Sequence, residues 1–205
     1  MYAEYKHFMQ DYMELGHMRE VMHSSDAMGE TYYLPHHAVY KETSTTKLRV
    51  VFDGSCKTST GISLNDALMV DPTVQDDFFS VLTRFCTFRY VLTADIAKMY
   101  RQILVDPKQT SLQRILWRLS IDKPVQTFEL LTVTCGTTSA PFLAIQSLRK
   151  LAENNTARLF IGAKIVLRDF YVDDLVTGAN TFQETLTIKT ETFQLLQEGL
   201  FDLRK

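Results

Sequence analysis

A chain of 205 residues that is 45% apolar and 22% charged is long enough to bury a core, which excludes a disordered or low-complexity protein. Its formal charge of −2 announces no nucleic-acid binder by itself, so any basic surface has to be a local stripe set against acidic surface elsewhere. Three widely spaced cysteines, Cys56, Cys86 and Cys135, show no zinc or disulfide spacing and point to free thiols in an intracellular compartment, cytoplasm or nucleus.

In chain order, residues 2 to 15 place Tyr5, Phe8, Met9, Tyr12, Met13 and Leu15 at helical spacing, with Gly16 as the stop. This charged, amphipathic start is not a secretory signal, and no apolar run approaches the roughly 20 residues that cross a bilayer, so no membrane partner is expected. The stretch HMREVMHSSDAMGET lacks a period and reads as loop. HHAVYK and KLRVVFD, joined by ETSTT, read as a hairpin. A helix follows from about Asp76 to Phe85, then a buried strand FRYVLTAD that ends in a carboxylate, with IAKMYRQI as a short helix or turn.

LQRILWRL and VQTFELLTV, separated by SIDKP, read as a second hairpin. TCGTTSAPF is a turn into a helix with Thr138 or Ser139 placed to cap and Pro141 near its first turn; Phe142, Ile145, Leu148 and Leu151 line one face. KIVLRDF and DLVTGA read as two short strands around YVDD. Asn180 with Gln183 resembles a capping box for a last helix whose apolar stripe is Phe182, Leu186, Phe193, Leu196 and Leu200, ending near Gly199. The sum is an α+β fold in one compact unit, helices packed on one face of an antiparallel sheet.

The chemistry concentrates in acids. Asp173 and Asp174 are adjacent and flanked by apolar strands; neighbouring carboxylates repel, burial raises the cost of their charge, and a cation relieves both. Magnesium takes hard oxygen ligands, usually one or two carboxylates plus phosphates. Asp95 closes the upstream strand, so a two-metal site assembled from both segments is one reading. A plainer one stays open for each: a solvated hairpin tip for the pair, a helix N-cap for Asp95. The histidines (His7, His17, His23, His36, His37) lack zinc spacing and read as structural.

Taken in order, KLRVVFDGS, ADIAKMYRQI, TVTCGTTSAPFLA and FYVDD resemble the motifs of retroelement reverse transcriptases. The wording of YYLPHHAVYK, RVVFDGS, SLND, DIAKMYRQI and SAPFLA is most similar to the BEL/Pao class of LTR retrotransposons, whose Pol polyprotein this chain would be a fragment of. The resemblance runs from about residue 5 to 205. It implies right-hand polymerase fingers (about 30–86 and 111–132) and palm (about 87–110 and 133–205) behind a helical lead-in (1–29). On it, the chain ends before any thumb, connection or ribonuclease H region.

It further implies that Asp95, Asp173 and Asp174 hold two magnesium ions, with manganese as a substitute. Lys47, Arg49, Tyr100, Cys135 and Gly136 would face the nucleotide, Tyr100 as a gate beneath the sugar and Arg49 on the triphosphate. Tyr171 and Pro141 would lie near primer and template. Cys135 departs from the Gln or Phe common there, and neither Arg204 nor Lys205 takes a role. The implied activity is RNA-directed DNA polymerase on an RNA or DNA template with primer and deoxynucleoside triphosphates, alongside remaining Pol domains. A catalytically inactive remnant or nucleic-acid-binding module is the alternative, and a different two-metal nucleotidyl transferase a third.

Overall fold

The structure, a computed structural model, describes residues 2–21, 31–40, 48–69, 72 and 74–204. Its elements in chain order are α1 (Tyr2–Glu14), β1 (Met18–Glu20), β2 (His36–Tyr40), β3 (Leu48–Phe52), α2 (Leu64–Ala67), α3 (Phe78–Cys86) and β4 (Tyr90–Ile96). There follow β5 (Arg114–Trp117), β6 (Gln126–Leu130), α4 (Ala140–Asn155), α5 (Phe160–Arg168), β7 (Phe170–Tyr171), β8 (Asp174–Ala179), α6 (Phe182–Glu198) and β9 (Leu203–Arg204). Every strand pair among them is antiparallel, and helices accompany the sheets, so the class is α+β. In place of the one compact unit expected, two discontinuous compact units share these elements: residues 1–70 with 103–140, and residues 71–102 with 141–205.

In the first unit β1, β6 and β5 form one sheet and β2 with β3 a hairpin. The loop that joins β2 to β3 lies outside the described residues, as do residues 22–30. Helix α1 ends as its sequence dictates: Gly16 takes φ 73, its amide reaches the Met13 carbonyl at 3.0 Å and the His17 amide reaches Tyr12 at 2.9 Å, a Schellman closure. Its Met9 and Tyr12 enter a core with Leu34, Phe52, Ile115, Phe128 and Leu130. Residues 18–20, expected as loop, are a strand paired with Phe128–Leu130. Three residues carry no period of their own; the partner strand makes this one.

His36 sits in this unit among Tyr5, Phe52 and Trp117, with ring centroids 5.8 to 6.0 Å away. Its Nε2 donates to the Leu116 carbonyl at 3.0 Å, which leaves Nδ1 to accept from the Tyr5 hydroxyl. Burial, aided by His37, favours this neutral ring and holds the imidazole below its ordinary 6.5 against the pull of the Leu116 carbonyl. The unfolded chain therefore takes up a proton first as pH falls below that value, and stability drops. Thermal unfolding of the wild type should lose more between pH 7 and about 5.5 than that of a His36→Asn variant; parallel profiles would refute the assignment.

The second unit is built on the sheet β7-β8-β4-β9. Leu175, Thr177 and Ala179 of β8 are buried on one face, where α6 packs against β4 and β8, while Val91, Thr93 and Asp174 stay exposed on the other. KIVLR, expected as a strand, is the end of α5. Gly162, Ala163, Ile165 and Val166 are its buried residues, a helical spacing, and a Cβ at Gly162 would stand 2.7 Å from the Glu191 backbone of α6. This close helix pairing overrides the β-branched preference of Ile165 and Val166. Helix α6 is capped by Thr181 with Glu184, one residue beyond the expected Asn180 and Gln183. Its buried face is Ile188, Thr192, Leu195 and Leu196; Phe182 and Leu200 of the expected stripe are 61% and 83% exposed.

Candidate active site

Strand β4 runs Tyr90–Ile96 beside β8, and their register sets Asp95 directly opposite Asp174. Because side chains alternate between faces, both carboxylates project from the open face of the sheet together with Thr93 and Val176. Asp95 is therefore a strand residue, not a helix cap; the 3₁₀ turn Met99–Gln102 starts only later. Asp173 occupies the two-residue loop between β7 and β8, its carbonyl accepting the Ile96 amide at 2.8 Å. One backbone bond thus ties the loop that carries Asp173 to the strand that carries Asp95.

Like charges placed opposite one another on a sheet destabilise it. Partial burial, then Asp173 and Asp95, hold the Asp174 carboxyl above the ordinary carboxylate value. Asp95 and Asp174 border a cleft of ≈ 330 Å³ whose apolar wall includes Phe78 and Val176. Among the described residues no three His, Cys, Asp or Glu side chains converge closely enough to hold a metal ion unaided. Two hard carboxylates that repel each other beside an open cleft still suit magnesium, which commonly completes its shell with substrate phosphate and water.

The loop itself is strained. Val172, a β-branched residue, takes φ 56, and its amide donates to Gln75 Oε1 at 3.1 Å. Tyr171 is half-buried, its ring 4.8 Å from that of Phe78. Tyr100 lies half-buried in the 3₁₀ turn that follows β4, and Pro141 is exposed in the first turn of α4. Gln75 carried no signal in the sequence. Its role comes from a contact 97 residues away.

In the first unit Arg49 is exposed on β3, opposite Val39, and Lys47 lies outside the described residues. Cys135 is exposed, and Gly136 takes φ 113 with its backbone against the Phe52 carbonyl. A residue not singled out in the sequence organises this turn. Asn65 Nδ2 donates to the Gly136 carbonyl at 3.1 Å and to Ser55 Oγ at 2.9 Å, while its Oδ1 accepts the Thr138 amide at 2.9 Å. Asn65→Ala should lower unfolding free energy by about 2 kcal/mol, since paired groups lose partners on both sides. Urea unfolding measures this; a change below about 0.5 kcal/mol would contradict it.

No protein-family model matches the sequence, and no curated protein matches it. Solved structures do. The native prototype foamy virus protease-reverse transcriptase superposes with a TM-score of 0.67 at 16% identity, over 95% of this chain and 22% of that one. The foamy viral protease-reverse transcriptase dRH in complex with double-stranded DNA gives 0.69 at 17%, over 94% and 28%. The fold is reverse-transcriptase-like. A CSH mutant of the prototype foamy virus enzyme gives 0.70 at 16%, over 95% and 22%, so this chain spans less than a third of each of these three proteins. At such identity the likeness speaks for the fold alone, and the chemistry of this reverse-transcriptase-like chain rests on its own residues.

Proposed function

We propose that this chain is the fingers-and-palm core of an RNA-directed DNA polymerase, of the BEL/Pao-like retrotransposon class that its ordered motifs resemble. The observation that carries the reading is Asp95 set opposite Asp174, with Asp173 tied between the strands, on the open face of a reverse-transcriptase-like sheet. Asp95, Asp173 and Asp174 would hold two magnesium ions, or manganese in their place. When bound, the ions supply Lewis-acid stabilisation of the charge that develops as a primer 3′-oxygen attacks the α-phosphate and pyrophosphate departs. The strands fix the acids in advance, so little reorganisation is spent at the moment of reaction.

Tyr100 is the proposed gate against a ribose 2′-hydroxyl. Arg49, Lys47 and the Cys135–Gly136 turn of the first unit are proposed to face the nucleotide, a guanidinium fork suiting phosphate; Tyr171 and Pro141 are proposed to lie near the primer and template. The double-stranded DNA in the complex of one structural neighbour supports a nucleic-acid partner. Phosphate contacts would make that binding fall steeply with salt.

Primer extension on an RNA template with magnesium tests the reading. Wild type should incorporate deoxynucleotides, Asp173→Asn should not, and Tyr100→Ala should raise the use of ribonucleotides. Equally poor incorporation by wild type and Asp173→Asn, with nucleic acid still bound, would make the chain a binding module instead. An unchanged ribonucleotide ratio would remove the gate role from Tyr100.

A further inference from the structure

Beneath the acid-bearing hairpin lies a further acid that the proposed chemistry does not use. Asp169 is 1% exposed, and a carboxylate so buried is tolerated only when its charge is paired and its oxygens are hydrogen-bonded. Arg168 supplies two of those bonds, Nε to Oδ1 and a terminal nitrogen to Oδ2, both at 2.7 Å. The Thr177 hydroxyl donates to Oδ2 at 2.7 Å, and Arg84 Nε stands 3.4 Å from Oδ1. Arg84 also donates to the Arg168 carbonyl at 2.6 Å and pairs with Asp76 at 2.9 Å.

These contacts join three elements. Asp169 follows the last residue of α5 and precedes β7; Thr177 is fully buried in β8, three residues beyond Asp174; Arg84 belongs to α3. The backbone repeats the connection, with the Asp169 amide donating to Ile165 at 2.8 Å and its carbonyl accepting the Val176 amide at 3.0 Å. Strand β7 has only two residues, and the loop beyond it holds a valine at positive φ. So short a hairpin lacks the ladder needed to hold that strain by itself. Its base is clamped by Asp169.

We propose that Asp169 is a positioning residue: through Thr177 and the paired Arg84 and Arg168 it sets where Asp174 stands relative to Asp95, and so tunes the affinity of the acid pair for a divalent cation. The inference rests on the polymerase reading of those acids. Supporting residues around metal ligands commonly change affinity about 10- to 100-fold when removed, with the ligands themselves untouched. The Thr177 hydroxyl is the most selective handle, because valine keeps its shape and removes only the bond to Asp169.

Manganese binding to the full chain, followed by the loss of the free-ion paramagnetic resonance signal, tests this without reference to activity. Thr177→Val and Asp169→Asn should each weaken manganese binding about tenfold while circular dichroism shows a folded chain, and Thr177→Ser should restore wild-type affinity. If Asp169→Asn fails to fold, the Thr177 pair decides alone. Wild-type affinity in Thr177→Val, in a protein whose binding Asp95→Asn abolishes, overturns the positioning role and leaves the metal site intact. Manganese binding that Asp95→Asn does not alter overturns the polymerase reading on which the role depends.

Discussion

Replacing Asp174 by asparagine should raise the melting temperature of the protein while lowering primer extension on the order of 10³-fold, several kcal/mol of lost metal-mediated stabilisation. The two effects have one cause. Asp174 faces Asp95 across the sheet and adjoins Asp173, and burial followed by these neighbours holds its carboxyl above the ordinary value of 3.8. A folded-state pKa above the unfolded one means that the ionised form works against the fold. This penalty is absent below the unfolded value, grows as pH rises through the folded value, and is complete at neutral pH. Asparagine has no charge to carry it. The stability gain of the variant should therefore be full at pH 7 and vanish as pH falls toward about 4, which thermal unfolding at both values measures. Magnesium should stabilise the wild type and not the variant. A variant less stable than wild type at pH 7 would mean that Asp174 is satisfied by a partner, and a cation at the acid pair would have no repulsion to relieve.

That penalty was only half legible in the sequence. The adjacency of Asp173 and Asp174 is covalent and visible; that Asp95 stands opposite Asp174 depends on a register between segments some 80 residues apart, which no local pattern encodes. Elements defined by a strong period, such as α1 with its Gly16 stop, or by a β-branched run, such as β3, could be read directly, whereas β4, expected as a buried strand, leaves Val91 and Thr93 exposed. KIVLR could not. A short run rich in β-branched residues suits a buried strand or a buried helix equally, and Gly162 resolves it only through its approach to Glu191 of α6. The last helix failed in a different way. The expected stripe does not all face the core, because Phe182 is left outward and the exposed Leu200 lies beyond the helix end, while Thr192 goes fully inside. The supporting residues Gln75, Asn65 and Asp169 are ordinary polar side chains in sequence. Each acquires its role from a partner brought near by the fold, and hydrogen-bonding capacity alone does not say where it will be spent.

Gly136→Ala should cost about 3 kcal/mol or more, the largest stability loss expected from adding a single methyl group to the first unit. Resemblance gives this glycine a place beside the nucleotide; the structure gives it a reason that needs no ligand. At φ 113 the backbone is in a region that side chains rarely adopt, and a Cβ there would lie 2.3 Å from the Phe52 carbonyl oxygen. Phe52 ends β3 and is buried in the core, so its backbone has little room to retreat. Asn65 meanwhile holds the Gly136 carbonyl from the other side. Gly61 supplies the control: at φ 81, with nothing within 4 Å of its added methyl group, it should lose only about 1 kcal/mol as alanine, from backbone conformation alone. Urea unfolding of both variants without nucleotide separates the two causes. A large difference assigns Gly136 to the junction between β3 and the turn, and equal losses would return it to the nucleotide, since the carbonyl contact would then impose nothing. With the expected difference, the requirement for glycine at 136 precedes substrate: the close approach of two backbones shapes the turn, and the exposed Cys135 beside it is presented as a consequence of that packing.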